Sequence, residues 1–189
     1  MISAILLAAG KSKRMMGENK LIKKIKGTSL IQHSIKNILS SSINELIVVL
    51  GHQKEIIEKL VNKDKKIKIV FNKDYENGMS SSIKLGLNHL SKRNKYFFIC
   101  LGDMPMVTKS IYEKLIESKN KKEVIVPMYK GQQGNPILFS HKMKKNIMTI
   151  NGDMGAKQIL EFNSDKVLKI EMDNKSVITD YNTQNSFII

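Results

Sequence analysis

The stretch Ser3-Ala4-Ile5-Leu6-Leu7-Ala8-Ala9-Gly10-Lys11-Ser12-Lys13-Arg14-Met15-Met16-Gly17-Glu18-Asn19-Lys20 decides how this chain is read. Residues 3–8 form a short, nearly continuous apolar run, the pattern of a strand buried on both faces. The run ends in small residues and a glycine, then carries the cations Lys11, Lys13, Arg14 and Lys20. Small residues let a backbone approach a ligand closely. Exposed amides in such a turn cradle anionic oxygens. Arg14 offers a planar fork for phosphate and Lys20 a point charge. The spacing fits neither the three-glycine dinucleotide loop nor a Gly-Lys-Ser/Thr loop after a four-residue gap. A solvated basic turn is the competing reading. Against it stands Arg14, one of only two arginines among 32 basic residues.

Outward from this loop, apolar runs alternate with helical patterns. Helices are expected over 29–39, 54–61, 81–90, 110–118 and 153–162. Strands are expected over 45–50, 66–71, 96–101, 123–128, 136–139, 166–171 and 175–179, with a polar turn at 130–135. Such alternation implies an α/β fold whose mostly parallel sheet is covered on both faces. The later strands lie closer together in sequence, so an antiparallel element is expected to join the sheet near the C-terminus. In such sheets ligands bind beyond the carboxyl ends of the strands. That directs attention to the segments after the first strand and after 96–101.

Composition bounds the classes. At 189 residues the chain is read as a single domain, 1–189. Its 41% hydrophobic and 26% charged residues fit a globular protein with a core. The net charge of +15 raises the question of nucleic acid. However, 30 of the 32 cations are scattered lysines, and aromatics are only 6%. Base-reading and strand-binding surfaces favour arginine forks and interleaved aromatic rings. The reading is therefore against a polynucleotide partner, although the field still attracts a small polyphosphate. Cys100, the sole cysteine, lies in an apolar run and reads as a buried, inert thiol. No apolar run approaches the ~18 residues of a membrane span. The run 2–9 lacks a basic flank and cleavage site of its own. A cytoplasmic protein without a membrane partner is expected.

Three further segments carry chemistry. Asn77-Gly78-Met79-Ser80-Ser81-Ser82-Ile83 opens a helix, where serines cap free amides or meet polar ligand atoms. Leu101-Gly102-Asp103-Met104-Pro105 puts a carboxylate at a strand's carboxyl edge. That suits a hard ion such as Mg²⁺ bridging phosphates, or simply an Asx turn. Asp153, in Gly152-Asp153-Met154-Gly155-Ala156-Lys157, reads as a helix N-cap or a site residue. The four histidines show no metal spacing. His33 and His89 read as packing or edge residues.

Together these segments resemble the nucleotidyltransferases of glycosyltransferase-A-like fold, close to the molybdenum cofactor cytidylyltransferase branch. The likeness rests on Leu7-Ala-Ala-Gly-Lys-Ser-Lys-Arg-Met, Asn19-Lys20-Leu21, Gly-Met-Ser-x-Ser-Ile and Gly-Asp-Met-Pro, kept in order along nearly the whole chain. It implies a three-layer, Rossmann-like nucleotide-diphospho-sugar transferase fold with a mostly parallel mixed sheet. It implies Mg²⁺-dependent transfer of CMP from CTP to a molybdopterin-type cofactor, with pyrophosphate released. Ala9, where related guanylyltransferases carry a second glycine, points to CTP over GTP. The resemblance places Leu7, Ala8, Ala9, Gly10, Ser12, Arg14, Lys20, Ser80, Ser82 and Gly102 on the nucleotide. Arg14, Lys20 and Asp103 become catalytic, and Asp103 with Asp180 or Asn182 the metal ligands, Asp180 being favoured for its charge. Gly134, Asn135 and Pro136 resemble an acceptor-side motif. The sequence departs from the pattern in an extra residue at Met15-Met16, in Lys157 for an arginine and in Gln184 for a proline. Other readings are a transferase for a sugar or polyol phosphate, one using GTP, and a non-catalytic nucleotide- or RNA-binding protein. A molybdoenzyme or chaperone docking on the lysine-rich surface is a further expectation.

Overall fold

The computed structural model describes residues 1–12, 18–153, 155 and 157–181, with the side chains of 157 and 158 left out. Its first strand, β1 (Ile2–Ala8), is followed by a small hairpin of β2 (Lys24–Ile25) and β3 (Thr28–Ser29), then α1 (Leu30–Leu39). Next come β4 (Glu45–Leu50), α2 (Lys54–Glu58), β5 (Ile67–Phe71), α3 (Met79–Asn88), β6 (Tyr96–Leu101) and α4 (Lys109–Glu117). The remainder is β7 (Val124–Tyr129), β8 (Gln132–Gln133), β9 (Ile137–Ser140), α5 (Lys144–Ile147), α6 (Lys157–Phe162) and β10 (Val167–Glu171).

The sheet runs in the order β10-β7-β9-β6-β1-β4-β5, with β8 paired to β7. β1 is parallel to both neighbours: Leu7 lies opposite Val49 on one side and Leu101 on the other. Chain order reverses here, since β4 and β5 lie to one side of β1 and β6 to the other. The crevice at such a switch point is where open α/β sheets bind ligands.

Alternate residues of the central strands feed two cores. Ala4, Leu6, Val48, Phe98 and Cys100 face α1, α2 and α4 through Ile31, Ile35, Ile57 and Leu115. Ile5, Ile47, Val49, Phe97 and Ile99 face α3, α5 and α6 through Ile83, Leu87, Ile147 and Ile159. Full burial of each Val, Leu, Ile or Phe among them is worth about 1.5–3 kcal/mol. Burial on both faces is why these strands read as unbroken apolar runs. The α/β, mostly parallel mixed sheet is the expected one.

The antiparallel element expected among the later strands is β9, which pairs with β6 and β7, while the last strand, β10, is parallel to β7. Seven residues join β7 to β9, too few for a parallel crossover of a dozen or more. One expectation is corrected. The segment 175–179 is not a strand: Lys175–Val177 is a 3-10 turn capped by Asn174, whose Oδ1 accepts from the Ser176 amide at 2.8 Å. Ser176 and Val177 are buried, but the turn pairs with no strand of the sheet.

Candidate active site

Beyond the carboxyl ends of β1 and β6 lies a cleft of about 600 Å³. Its floor is the end of β1 with Leu7, Ala8, Ala9 and Gly10. Ser12 turns the chain in the left-handed region, φ 51°, a conformation costing a non-glycine residue about 1–3 kcal/mol. Its Oγ accepts from the Lys20 amide at 3.1 Å, which holds Ser12 beside Lys20. Asn19 then caps a 3-10 turn, Lys20–Ile22, by accepting from the Leu21 amide at 3.1 Å. Buried Leu21 packs at Gly102, where an added Cβ would come 3.1 Å from both Leu21 Cδ2 and the Leu7 carbonyl. So anchored, Lys20 meets Asp103 directly: its Nζ donates to Asp103 Oδ2 in an ion pair across 83 residues of sequence. Asp103 is buried, and Asp180 lines the same cleft.

The far wall comes from the crossover between β5 and α3. Tyr75, Glu76, Gly78, Met79 and Ser82 line it. Gly78, at φ 93°, has no room for a side chain: a Cβ would sit 2.4 Å from the Gly152 carbonyl carbon. The segment carrying Gly152 and Asp153 is thereby packed onto the start of α3. The Gly152 carbonyl accepts from the Ser80 amide at 3.0 Å, and Asp153 Oδ1 from the Met79 amide at 3.3 Å. Asp153 therefore caps α3 and lines the cleft. Across the mouth, Lys11 pairs with Glu76, whose hydrogen bond and charge raise the lysine's pKa.

The expected nucleotide residues Leu7, Ala8, Ala9, Gly10, Ser12, Lys20, Ser82 and Gly102 all line the cleft, as do Asp103 and Asp180. Ser80 is buried and is not among the lining residues; its amide is spent on Gly152. Gly134, Asn135 and Pro136 do not line it either: Gly134 and Asn135 pack on the segment before Asp180, with the Asn135 amide donating to the Val177 carbonyl at 2.7 Å. Arg14, Met15-Met16, Asn182 and Gln184 lie outside the described residues, as does the side chain of Lys157.

The family model of the MobA-like NTP transferase domain matches residues 4–167. The chain belongs to that family. It is 29% identical over 188 residues to the molybdenum cofactor cytidylyltransferase of Escherichia coli (strain K12), covering 99% of this chain and 94% of that one. It is 33% identical over 145 residues to a probable molybdenum cofactor guanylyltransferase of Natranaerobius thermophilus, covering 75% and 67%. Among solved structures, Rv0371c of Mycobacterium tuberculosis H37Rv superposes with TM-score 0.87 at 21% identity, over 98% of this chain and 95% of that one. This MobA-like protein is thus a nucleotidyltransferase with the fold expected of one.

Two residues of this MobA-like cleft escaped sequence reading. Tyr75 and Glu76 lie in the polar stretch 72–77, which has no apolar period. The available signal was an aromatic three residues ahead of Gly78. Only the close packing of Gly51 against Ala9 and Tyr75 brings that ring to the end of β1. His33 and His89 are structural: His33 Nε2 meets the Ile25 carbonyl at 3.0 Å and His89 Nδ1 the Leu85 carbonyl at 2.9 Å. Cys100 is buried, and burial pushes its thiol up to about 12, while the Tyr112 hydroxyl donates to its sulfur at 3.7 Å.

Proposed function

We propose that this nucleotidyltransferase moves CMP from CTP to the phosphate of a molybdopterin-type acceptor and releases pyrophosphate. The observation that carries the reading is the Lys20–Asp103 pair, set in one cleft with the glycine-bearing turn after β1 and with Asp180. The similarity of nearly the whole chain to a cytidylyltransferase supports the choice of nucleotide and acceptor.

In this reaction an acceptor phosphate oxygen attacks the α-phosphorus in line. A new phosphoanhydride bond forms as the bond to the β,γ-diphosphate breaks, and pyrophosphate leaves with the electron pair. The attacking oxygen is already ionised, so no general base is needed. Positioning and charge neutralisation supply the acceleration. The turn from Gly10 to Ser12, with Arg14, holds the triphosphate. Lys20 offsets charge on the phosphoryl oxygens and leaving group. Ser82 meets the base and ribose end. The buried carboxylate of Asp103, with Asp180 in the same cleft, fits Mg²⁺, which is commonly held by one or two carboxylates plus substrate phosphates. These two residues would hold the ion, which when bound supplies Lewis-acid polarisation of phosphoryl oxygens.

A GTP-using transferase is the second reading, favoured by the 33% identity to a probable guanylyltransferase. Incubating the protein with each of the four nucleoside triphosphates, Mg²⁺ and molybdopterin, and measuring pyrophosphate, separates the two. Release with CTP alone, dependent on acceptor, is expected. Release with GTP alone transfers the assignment to the second reading. Release only with a sugar or polyol phosphate in place of molybdopterin overturns the acceptor.

A further inference from the structure

We propose that the Gly134-Asn135 turn and Tyr181 are positioning elements that hold the segment 177–181 as a strap, fixing Asp180 opposite Asp103. The inference rests on Asp180 being a metal ligand, and it assigns Gly134 and Asn135 a role other than touching the acceptor.

The strap is fastened at two points on either side of Asp180. At the first, the Asn135 amide donates to the Val177 carbonyl at 2.7 Å. Gly134 lies so close beneath that an added Cβ would come 2.5 Å from the Val177 oxygen and 2.8 Å from its Cβ. Both clashing atoms belong to the strap, one of them to its backbone, so any larger residue displaces it. Val177 itself is fully buried in the core that backs β6. At the second point, the Tyr181 amide donates to the Asp103 carbonyl at 3.0 Å. The same residue therefore offers its carboxylate to the cleft and its carbonyl to the strap. The Tyr181 side chain is buried with Ile25 and Leu30 in a small cluster of its own. Those residues belong to β2 and α1, which follow the turn that bears Lys20.

Thus Tyr181 ties together the segment after Lys20, the Asp103 loop and Asp180. Two carboxylates that must share one small ion need their separation held against mutual repulsion and chain motion. Among the described residues, the segment after β10 has no sheet pairing to provide this. Groups that orient ligands in this way typically change metal affinity by about 10–100-fold when removed.

The test uses the full chain, with Mn²⁺ as the probe, its binding read by the loss of the free-ion electron paramagnetic resonance signal. Gly134→Ala and Tyr181→Ala should weaken Mn²⁺ binding at least tenfold, as Asp180→Asn does. Tyr181→Phe, which keeps the ring in its cluster, should restore it to within a few-fold of the unmodified chain. Hydrogen exchange at the Tyr181 and Asn135 amides should quicken in Gly134→Ala while exchange in β1 and β6 is unchanged. The second readout separates a displaced strap from a misfolded protein. Unchanged Mn²⁺ affinity in both folded variants, with the acceptor KM raised instead in Gly134→Ala, overturns the strap and restores the acceptor contact. If the unmodified chain binds no Mn²⁺, the metal reading of Asp180 fails, and the proposal with it.

Discussion

The two ends of the central strands treat polar side chains in opposite ways. At the amino ends they satisfy one another. Ser3 Oγ donates to Glu45 Oε2 at 2.7 Å and accepts from Asn94 Nδ2 at 2.8 Å. Asn94 also reaches the Tyr96 carbonyl at 2.7 Å and His141 Nδ1 at 3.2 Å, and the Ile2 amide donates to Asn44 Oδ1 at 2.8 Å. This network joins β1, β4 and β6, and none of its members lines the cleft. At the carboxyl ends, where β1 finishes at Ala8, five residues after Ser3, the strand ends and the chain turns. There Lys20, Asp103 and Asp180 share a cavity large enough for a nucleotide's polyphosphate. Buried polar groups that complete each other stabilise a fold. Those whose charges face a common cavity keep capacity for a ligand, and that asymmetry distinguishes a scaffold from a site.

Substitutions at the two ends should separate stability from turnover. Asp103→Asn should have the largest effect: pyrophosphate release falls by more than about 10²-fold, the usual cost of losing a charge aimed at the transition state. Circular dichroism should stay native. Full activity in that variant excludes Asp103 as a metal ligand. Lys20→Ala should come next, with turnover lowered about 10²-fold and KM for the nucleotide also raised; an unchanged release rate sinks its role.

At the amino ends, Ser3→Ala should instead cost about 1–3 kcal/mol in urea unfolding, since Glu45 and Asn94 lose a shared partner. Its turnover should match the unmodified chain, and a fall in turnover at constant stability would break the contrast. The smallest effect belongs to Cys100, three residues before Asp103 yet turned into the core. Its thiol should resist iodoacetamide at pH 8 in the native protein and react once urea is added. With a native value near 12, above the unfolded thiol's ~8.5, the folded state keeps a proton that the unfolded state loses. Stability from this group is therefore full below about pH 8.5 and falls as pH rises towards 12. Tyr112, raised for the same reason of burial, adds in the same direction. A flat stability profile across that range, measured by urea titration, contradicts the assignment.

The short-range physics of this chain is written in its sequence. β1, β4 and β6 are legible because strands buried on both faces read as near-continuous apolar runs. The small-residue turn, the cation at Lys20 and the carboxylate at Asp103 are legible as residue types suited to phosphate and a hard ion. What no local pattern contains is which of them meet. Lys20 and Asp103 stand 83 residues apart, and only the parallel pairing of β1 with β6 brings their loops side by side. Asp153 looks like the cap of its own helix but caps α3, because the Gly78 backbone leaves room for the Gly152 carbonyl. Tyr75 enters the cleft through contact with Gly51, and the Gly134-Asn135 turn meets the strap rather than the cavity. Periodicity and residue chemistry act within a few positions of the chain, so the sequence determined the elements and the kind of chemistry. Packing between distant elements is a property of the whole sheet, so the membership of the site was decided only in three dimensions.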